Sequence, residues 1–137
     1  MKTIHDIEIQ NLIEKAKNAK DRAYAPYSHF AVGACLKGAT GAYFLGANVE
    51  NSSYGASICA ERVAYSRAIY EGERSFDALA IYTDTQSAVY PCGICLQVLS
   101  ELCDDDMPVI CAYSDGYEIF ELKDLFPHMF KQAKADA

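Results

Sequence analysis

The sequence predicts an α/β fold: a three-layer αβα sandwich in which a mixed five-stranded sheet carries helices on both faces. Two observations lead there. Segments of helical period alternate with short apolar runs in the order αββαβαββα, and crossovers between strands of one sheet must lie on its faces. The 137 residues also show no internal repeat, linker or low-complexity stretch, so residues 1–137 are expected to share one core as a single domain.

Each element has its own signal. From Asp6 to about Tyr24 the residues Ile9, Leu12, Ile13, Ala16, Ala19 and Ala23 recur at helical spacing, and Pro26 stops the helix. FAVGACL (30–36) and AYFLGAN (42–48) read as strands, joined by a hairpin loop through the glycines of KGATG. In ICAERVAYSRAIYEG (58–72), Ala60, Val63, Ala64 and Ala68 share one side and Gly72 ends the helix. FDALAIYTD (76–84) is a short apolar strand, and CGICLQVLSELC (92–103), preceded by Pro91, is a helix. PVICAYSDGYEIF (108–120) breaks at Ser114-Asp115-Gly116 into two strands. A last helix is expected from Leu122 to Lys134, interrupted at Pro127.

Composition narrows the function. With 51% hydrophobic and 23% charged residues the chain is of soluble globular type. No apolar run approaches the roughly 20 residues a membrane helix needs, and MKTIHDIEIQ lacks a leader core, so no membrane partner and a cytoplasmic location are expected. A net charge of -7 disfavours nucleic acid, whose affinity comes largely from Lys and Arg neutralising phosphates. A small neutral substrate remains compatible. Six cysteines in a cytosolic chain point to metal binding, catalysis or burial rather than a disulfide framework.

Spacing separates those roles. Cys92 and Cys95 lie three apart at a helix start and can converge on one ion, although C-x-x-C alone also suits a redox pair. Cys59 falls at the start of another helix. Three thiolates at two helix N-termini suit a divalent cation, because both macrodipoles oppose the accumulated charge. Cys103, eight residues beyond Cys95, would lie about 12 Å along the axis, too far to be a fourth ligand. Cys35 and Cys111 sit among apolar strand neighbours and read as buried, inert thiols. His5, His29 and His128 have no partner at ligand spacing. Three ligands with one open position is the arrangement of a catalytic zinc site. Such a site needs a proton carrier. Glu61, in the first turn of its helix, can point back past Cys59 toward the metal, although an acid there is also favoured by the macrodipole alone.

Cys59-Ala60-Glu61 followed by Pro91-Cys92-Gly93-Ile94-Cys95 resembles the signature of the zinc nucleoside deaminases, in which the acid is a proton carrier and not a ligand. The resemblance is strongest to the small homotetrameric cytidine deaminases, which use three cysteines, and it extends over nearly the whole chain. It implies one zinc ion per subunit, a pyrimidine nucleoside as substrate, and a homotetramer with shared active sites acting in pyrimidine salvage. It also implies roles for other residues. Phe30, in YAPYSHFAVGA, would pack against the pyrimidine. Asn48 and Glu50, in NVEN, would hold the sugar 3'-hydroxyl. The Ala60 N–H and the Tyr90 carbonyl would orient the ring edge. Tyr54 and Phe130 would reach a neighbouring subunit's site. Arg62 would hydrogen-bond the cysteine sulfurs and offset their charge.

The implied reaction is hydrolytic removal of the exocyclic amine of cytidine or 2'-deoxycytidine, with Glu61 carrying protons. One departure stands out. Related enzymes carry an arginine directly after the second C-x-x-C cysteine, whereas this chain has Leu96. A less acidic zinc water and greater reliance on Arg62 are therefore expected. Among alternatives, a deaminase of a modified cytosine nucleoside such as blasticidin S shares the zinc motifs but has no need of NVEN. A polynucleotide-editing deaminase conflicts with the acidic charge. A C-x-x-C redox protein or a non-catalytic zinc module would leave Glu61 without a purpose.

Overall fold

The computed structural model describes residues 1–134. Its elements are α1 (Asp6–Lys20), β1 (Val32–Gly38), β2 (Tyr43–Ala47), α2 (Ala60–Tyr70), β3 (Phe76–Thr83), α3 (Gly93–Ser100), β4 (Pro108–Tyr113), β5 (Gly116–Glu121) and α4 (Leu122–Leu125). The strands form one five-stranded sheet in the order β2-β1-β3-β4-β5. Only β3 and β4 pair in parallel, the geometry that a strand–helix–strand crossover through α3 requires. The mixed sheet expected from the sequence is therefore the one observed.

Alternation along the strands divides the core in two. Cys35, Ala78, Ala80, Tyr82, Ile110 and Ala112 point to one face, where Ile9, Leu12 and Ala16 of α1 cover them. Ala34, Leu36, Leu79, Ile81, Val109 and Cys111 point to the other, beneath Ala60, Ala64 and Ala68 of α2 and Leu96 and Leu99 of α3. Helices thus lie on both faces. The small residues of α2 let the backbone of that helix approach the sheet closely.

Topology then brings the starts of α2 and α3 together. β2 and β3 both pair antiparallel with β1, so they run in the same direction. The helices that follow them begin at the same end of the sheet, just outside the strands' carboxyl ends. That end is where open α/β sheets place their ligands.

Most boundaries fall within a few residues of expectation, and two differ for physical reasons. Gly72, at φ 94, ends α2 as expected, with Glu73 N–H donating to Ala68 O at 2.9 Å. The last helix is a single turn, Leu122–Leu125, not a segment reaching Lys134. Pro127 pushes Phe126 to φ -142, out of the helical region, and no helix resumes through residue 134. Helix α3 likewise ends at Ser100, so Cys103 lies in the following turn, where it is 3% exposed. No helix among the described residues is long and apolar enough to cross a membrane.

Candidate active site

Cys59 is the residue that precedes α2, and Cys92 the one that precedes α3, both with extended backbone at the N-cap. Cys95 follows one turn into α3 and is fully buried. The sulfurs of the three all lie within 4.8 Å of one another. Cys59 Sγ to Cys92 Sγ is 3.9 Å and Cys92 Sγ to Cys95 Sγ is 3.5 Å. Three sulfurs bonded at 2.3 Å to a tetrahedral centre would stand about 3.8 Å apart, so this donor set fits zinc. Cys35, Cys103 and Cys111 are buried elsewhere, with thiols that burial pushes up to about 12.

The surroundings favour thiolate at Cys59. Cys59 is drawn down to about 5, first by a hydrogen bond with Cys95 and then by Arg62 and Cys92, against the effect of burial. Cys95 is raised, because it shares that bond and is buried. Arg62 Nη2 donates to Cys59 Sγ at 3.6 Å and to Ser57 O at 3.4 Å. Its Nε is buried with no acceptor. A donor left over beside three sulfurs suits a site that concentrates negative charge.

Glu61, in the first turn of α2, is 5% exposed. Burial raises its carboxyl to about 7, opposed by hydrogen bonds from its own backbone N–H and from Cys95. An acid with that value can take up and release a proton at neutral pH.

Glu61 and Cys59 close one end of a pocket of about 360 Å³ that is also lined by Phe30, Asn48, Glu50, Ala60, Tyr90 and Cys92. The volume suits a small molecule. A larger groove of about 680 Å³ between α1, β2 and α2 contains none of the sulfurs and no buried acid, so size does not select it. Segment 48–50 is pinned from both sides. Glu50 N–H donates to Tyr24 O at 2.8 Å, and Val49 and Ile58 exchange backbone bonds at 2.9 and 2.8 Å. Asn48 Oδ1 accepts from Val32 N–H at 2.8 Å while its Nδ2 donates to Phe30 O at 2.8 Å. Tyr90 Oη donates to Glu118 Oε1 at 3.0 Å, and its ring meets Phe120 edge-on.

Two expected site residues are outside the lining of this pocket, Tyr54 in an adjoining hollow that shares Ser28, Glu50 and Ser57 with it, and Phe130 elsewhere. Tyr54 is 76% exposed and packs edge-on against Tyr27 at 6.0 Å. Phe130 is 66% exposed beside the turn after α3, where its carbonyl accepts from Gln97 Nε2. Leu96 is buried in the core beneath α2 and α3. Ser28 lines the pocket too, and sequence reasoning passed over it. Its one signal is the lone small polar residue in YAPYSHF, which does not distinguish a loop serine from a functional one.

Known proteins resemble this chain in sequence and fold. Residues 6–111 match the family model described as the cytidine and deoxycytidylate deaminase zinc-binding region. The cytidine deaminase of Sporosarcina psychrophila is 47% identical over 103 residues, which is 75% of this chain and 76% of that protein. That of Halalkalibacterium halodurans is 43% identical over 122 residues, 88% of this chain and 92% of that protein. The crystal structure of cytidine deaminase from Burkholderia pseudomallei superposes with a TM-score of 0.85 at 42% identity, covering 88% of this chain and 98% of that one. With three sulfurs set for a metal, a buried acid beside them and this likeness over most of its length, the chain belongs to the cytidine and deoxycytidylate deaminase zinc-binding family.

Proposed function

We propose that this chain hydrolyses cytidine and 2'-deoxycytidine to uridine and 2'-deoxyuridine, releasing ammonia, as one domain spanning residues 1–137. The observation that carries the reading is the junction of two features in one pocket. A sulfur set that fits zinc and a buried acid near neutral pKa border it, and the hydrogen-bonding side chains Asn48 and Glu50 line it as well.

Cys59, Cys92 and Cys95 would hold zinc, which supplies Lewis acidity that makes water a nucleophile at neutral pH. Glu61 acts as the proton carrier. It takes a proton from the attacking water, places it on N3 of the cytosine ring, and later protonates the exocyclic amine so that ammonia leaves. Ala60, the first helical residue of α2, has an N–H without an intrahelical partner and can donate to the ring's polar edge. Tyr90 offers its carbonyl to the same edge. Phe30 covers the ring, and Asn48 with Glu50 binds the sugar 3'-hydroxyl. Arg62 offsets the thiolate charge, the more so because Leu96 brings none.

The active unit is a homotetramer in this reading. Tyr54 and Phe130, both exposed and neither in the lining of their own chain's pocket, would complete a neighbour's site. The setting is cytoplasmic pyrimidine salvage. The test is ammonia release from cytidine, deoxycytidine, free cytosine and blasticidin S by protein of known zinc content, with Glu61→Ala in parallel. Turnover of both nucleosides but not the free base, abolished in Glu61→Ala with zinc retained, is expected. No turnover at full zinc occupancy refutes the reading, and turnover of blasticidin S alone replaces it with the modified-nucleoside alternative.

A further inference from the structure

Ser28 is unassigned in the mechanism above, yet its hydroxyl joins the group proposed for the sugar to the group proposed for the ring. Ser28 Oγ donates to Glu50 Oε2 and accepts the Phe30 N–H at 3.0 Å. The backbone N–H groups of Tyr27 and Ser28 donate to Glu50 Oε1 at 3.1 and 3.0 Å. Between Ser28 and Phe30 the chain turns through His29 at φ 57, a left-handed conformation that a non-glycine residue adopts at a cost. That turn is closed by His29 N–H donating to Ala25 O at 3.0 Å.

Counting acceptors gives this arrangement a meaning. A carboxylate has about four acceptor positions. Tyr27, Ser28 N–H and Ser28 Oγ fill three on Glu50, and the one left is on Oε2, the oxygen that Ser28 Oγ fixes. Asn48 has one Oδ1 lone pair engaged by Val32 and one Nδ2 hydrogen engaged by Phe30, so one N–H and the second Oδ1 lone pair remain. The open acceptor on Glu50 and the open N–H of Asn48 together match a single hydroxyl, which donates to the one and accepts from the other. The hydrogen bond from Ser28 also leads the influences that keep the Glu50 carboxyl below its ordinary range, so it stays ionised as an acceptor.

We propose that Ser28 is a positioning residue for sugar recognition: its hydroxyl aims the remaining acceptor of Glu50 at one nucleoside hydroxyl and ties that aim to the backbone of Phe30. The inference rests on the assignment of Asn48 and Glu50 to the sugar 3'-hydroxyl. Without Ser28 Oγ, Glu50 would be held through Oε1 alone and Oε2 would lose its direction.

The experiment compares wild type, Ser28→Ala, and the isosteric pair Ser28→Thr and Ser28→Val, on 2'-deoxycytidine and 2',3'-dideoxycytidine. It reads kcat and KM separately, alongside thermal melting. Losing one hydrogen bond to a charged acceptor that keeps two others is expected to raise KM for 2'-deoxycytidine roughly tenfold in Ser28→Ala and Ser28→Val. The dideoxynucleoside, which feels Ser28 only through the Phe30 backbone, should lose less kcat/KM than 2'-deoxycytidine, so the preference for the 3'-hydroxyl narrows severalfold. Ser28→Thr, which keeps the hydroxyl, should retain wild-type discrimination. Equal losses on both nucleosides, or Thr behaving as Val, overturn the role of Ser28. A wild type that treats the two nucleosides alike removes the sugar assignment itself, and the inference with it.

Discussion

Replacing Gly46 with alanine should weaken the fold and zinc binding together. A Cβ on Gly46 would lie 2.4 Å from Ala60 O, 2.5 Å from Ala64 N and 3.1 Å from Ala64 Cα. All three are backbone atoms and cannot swing aside. An ordinary contact needs about 3.5 Å, so α2 must retreat from β2 by about 1 Å. The first turn of α2 directly follows Cys59 and carries Glu61. A retreat of that size opens the 3.9 Å Cys59–Cys92 separation beyond what two bonds of 2.3 Å to one tetrahedral centre hold comfortably. Overpacking should cost about 3 kcal/mol, which for a chain of this size lowers Tm by roughly 10 °C. Zinc affinity should fall by about 10–100-fold and kcat by about 100-fold. Gly33→Ala is the control. Its Cβ would meet Ala16 O at 1.9 Å and Lys20 N at 2.5 Å, both in α1 on the opposite face of the sheet. It should lose at least as much stability while leaving zinc affinity unchanged. Melting curves and competition with a chromophoric chelator measure the two quantities. Gly46→Ala with wild-type affinity, or Gly33→Ala with an equal loss of affinity, would refute the coupling.

Three further outcomes are expected. Glu61→Gln should cut kcat by about 10²–10⁴-fold with zinc retained. It should also change stability with pH: the native Glu61 carboxyl at about 7 lies above its ordinary 4.5, so the folded protein loses stability as pH rises from 4.5 through 7. Metal-free Glu61→Gln should therefore melt above wild type at pH 8, by an amount equivalent to about 3 kcal/mol, and level with it near pH 4; equal Tm at both pH values would show that burial does not raise this acid. In metal-free native protein at pH 8, a thiol reagent followed by peptide mapping should label Cys59 and Cys92 quickly and leave Cys35, Cys103 and Cys111 unreacted until denaturant is added, because those three are buried and pushed up to about 12. Leu96→Arg should shift the acid limb of the kcat profile to lower pH by returning a positive charge to the site, at a cost in Tm because position 96 is 7% exposed among apolar neighbours; an unchanged profile would mean that Arg62 and the helix ends already supply the balance.

The metal set was legible in the sequence because ligation depends on residue type and spacing, and both survive in a linear text. Cys92 and Cys95 share a helical turn, and Cys59 falls where a second helix starts. The layers were legible for the same reason, since strand alternation and helical period each sort residues by face. The last helix was not, because the apolar residues after Pro127 imitate a helical period that the proline has already ended. The Ser28–Glu50 contact spans 22 residues between two irregular segments, where no period operates. Nor could the sequence reveal the raised pKa of Glu61. An acid in the first turn of a helix is ordinarily solvated, and only packing of that turn onto the sheet raises its carboxyl to about 7.

That packing ties the fold to the chemistry. Three sulfurs and a carboxyl crowded together repel one another to the extent that they ionise, so the chain must hold them together against that charge. It does so with backbone geometry: β2 and β3 run the same way, their helices start side by side, and two positive helix ends face the sulfurs. Ala60, Ala64 and Gly46 let α2 sit close enough to bury Glu61. If that closeness sets the acid's pKa, a wider β2–α2 gap should lower it. Gly46→Ala should then lose the rise in stability that wild type shows between pH 7 and pH 4.5, beyond the pH-independent loss from overpacking. Parallel stability curves for the two proteins across that window would show that Glu61 owes its raised value to something other than the close approach of helix and sheet.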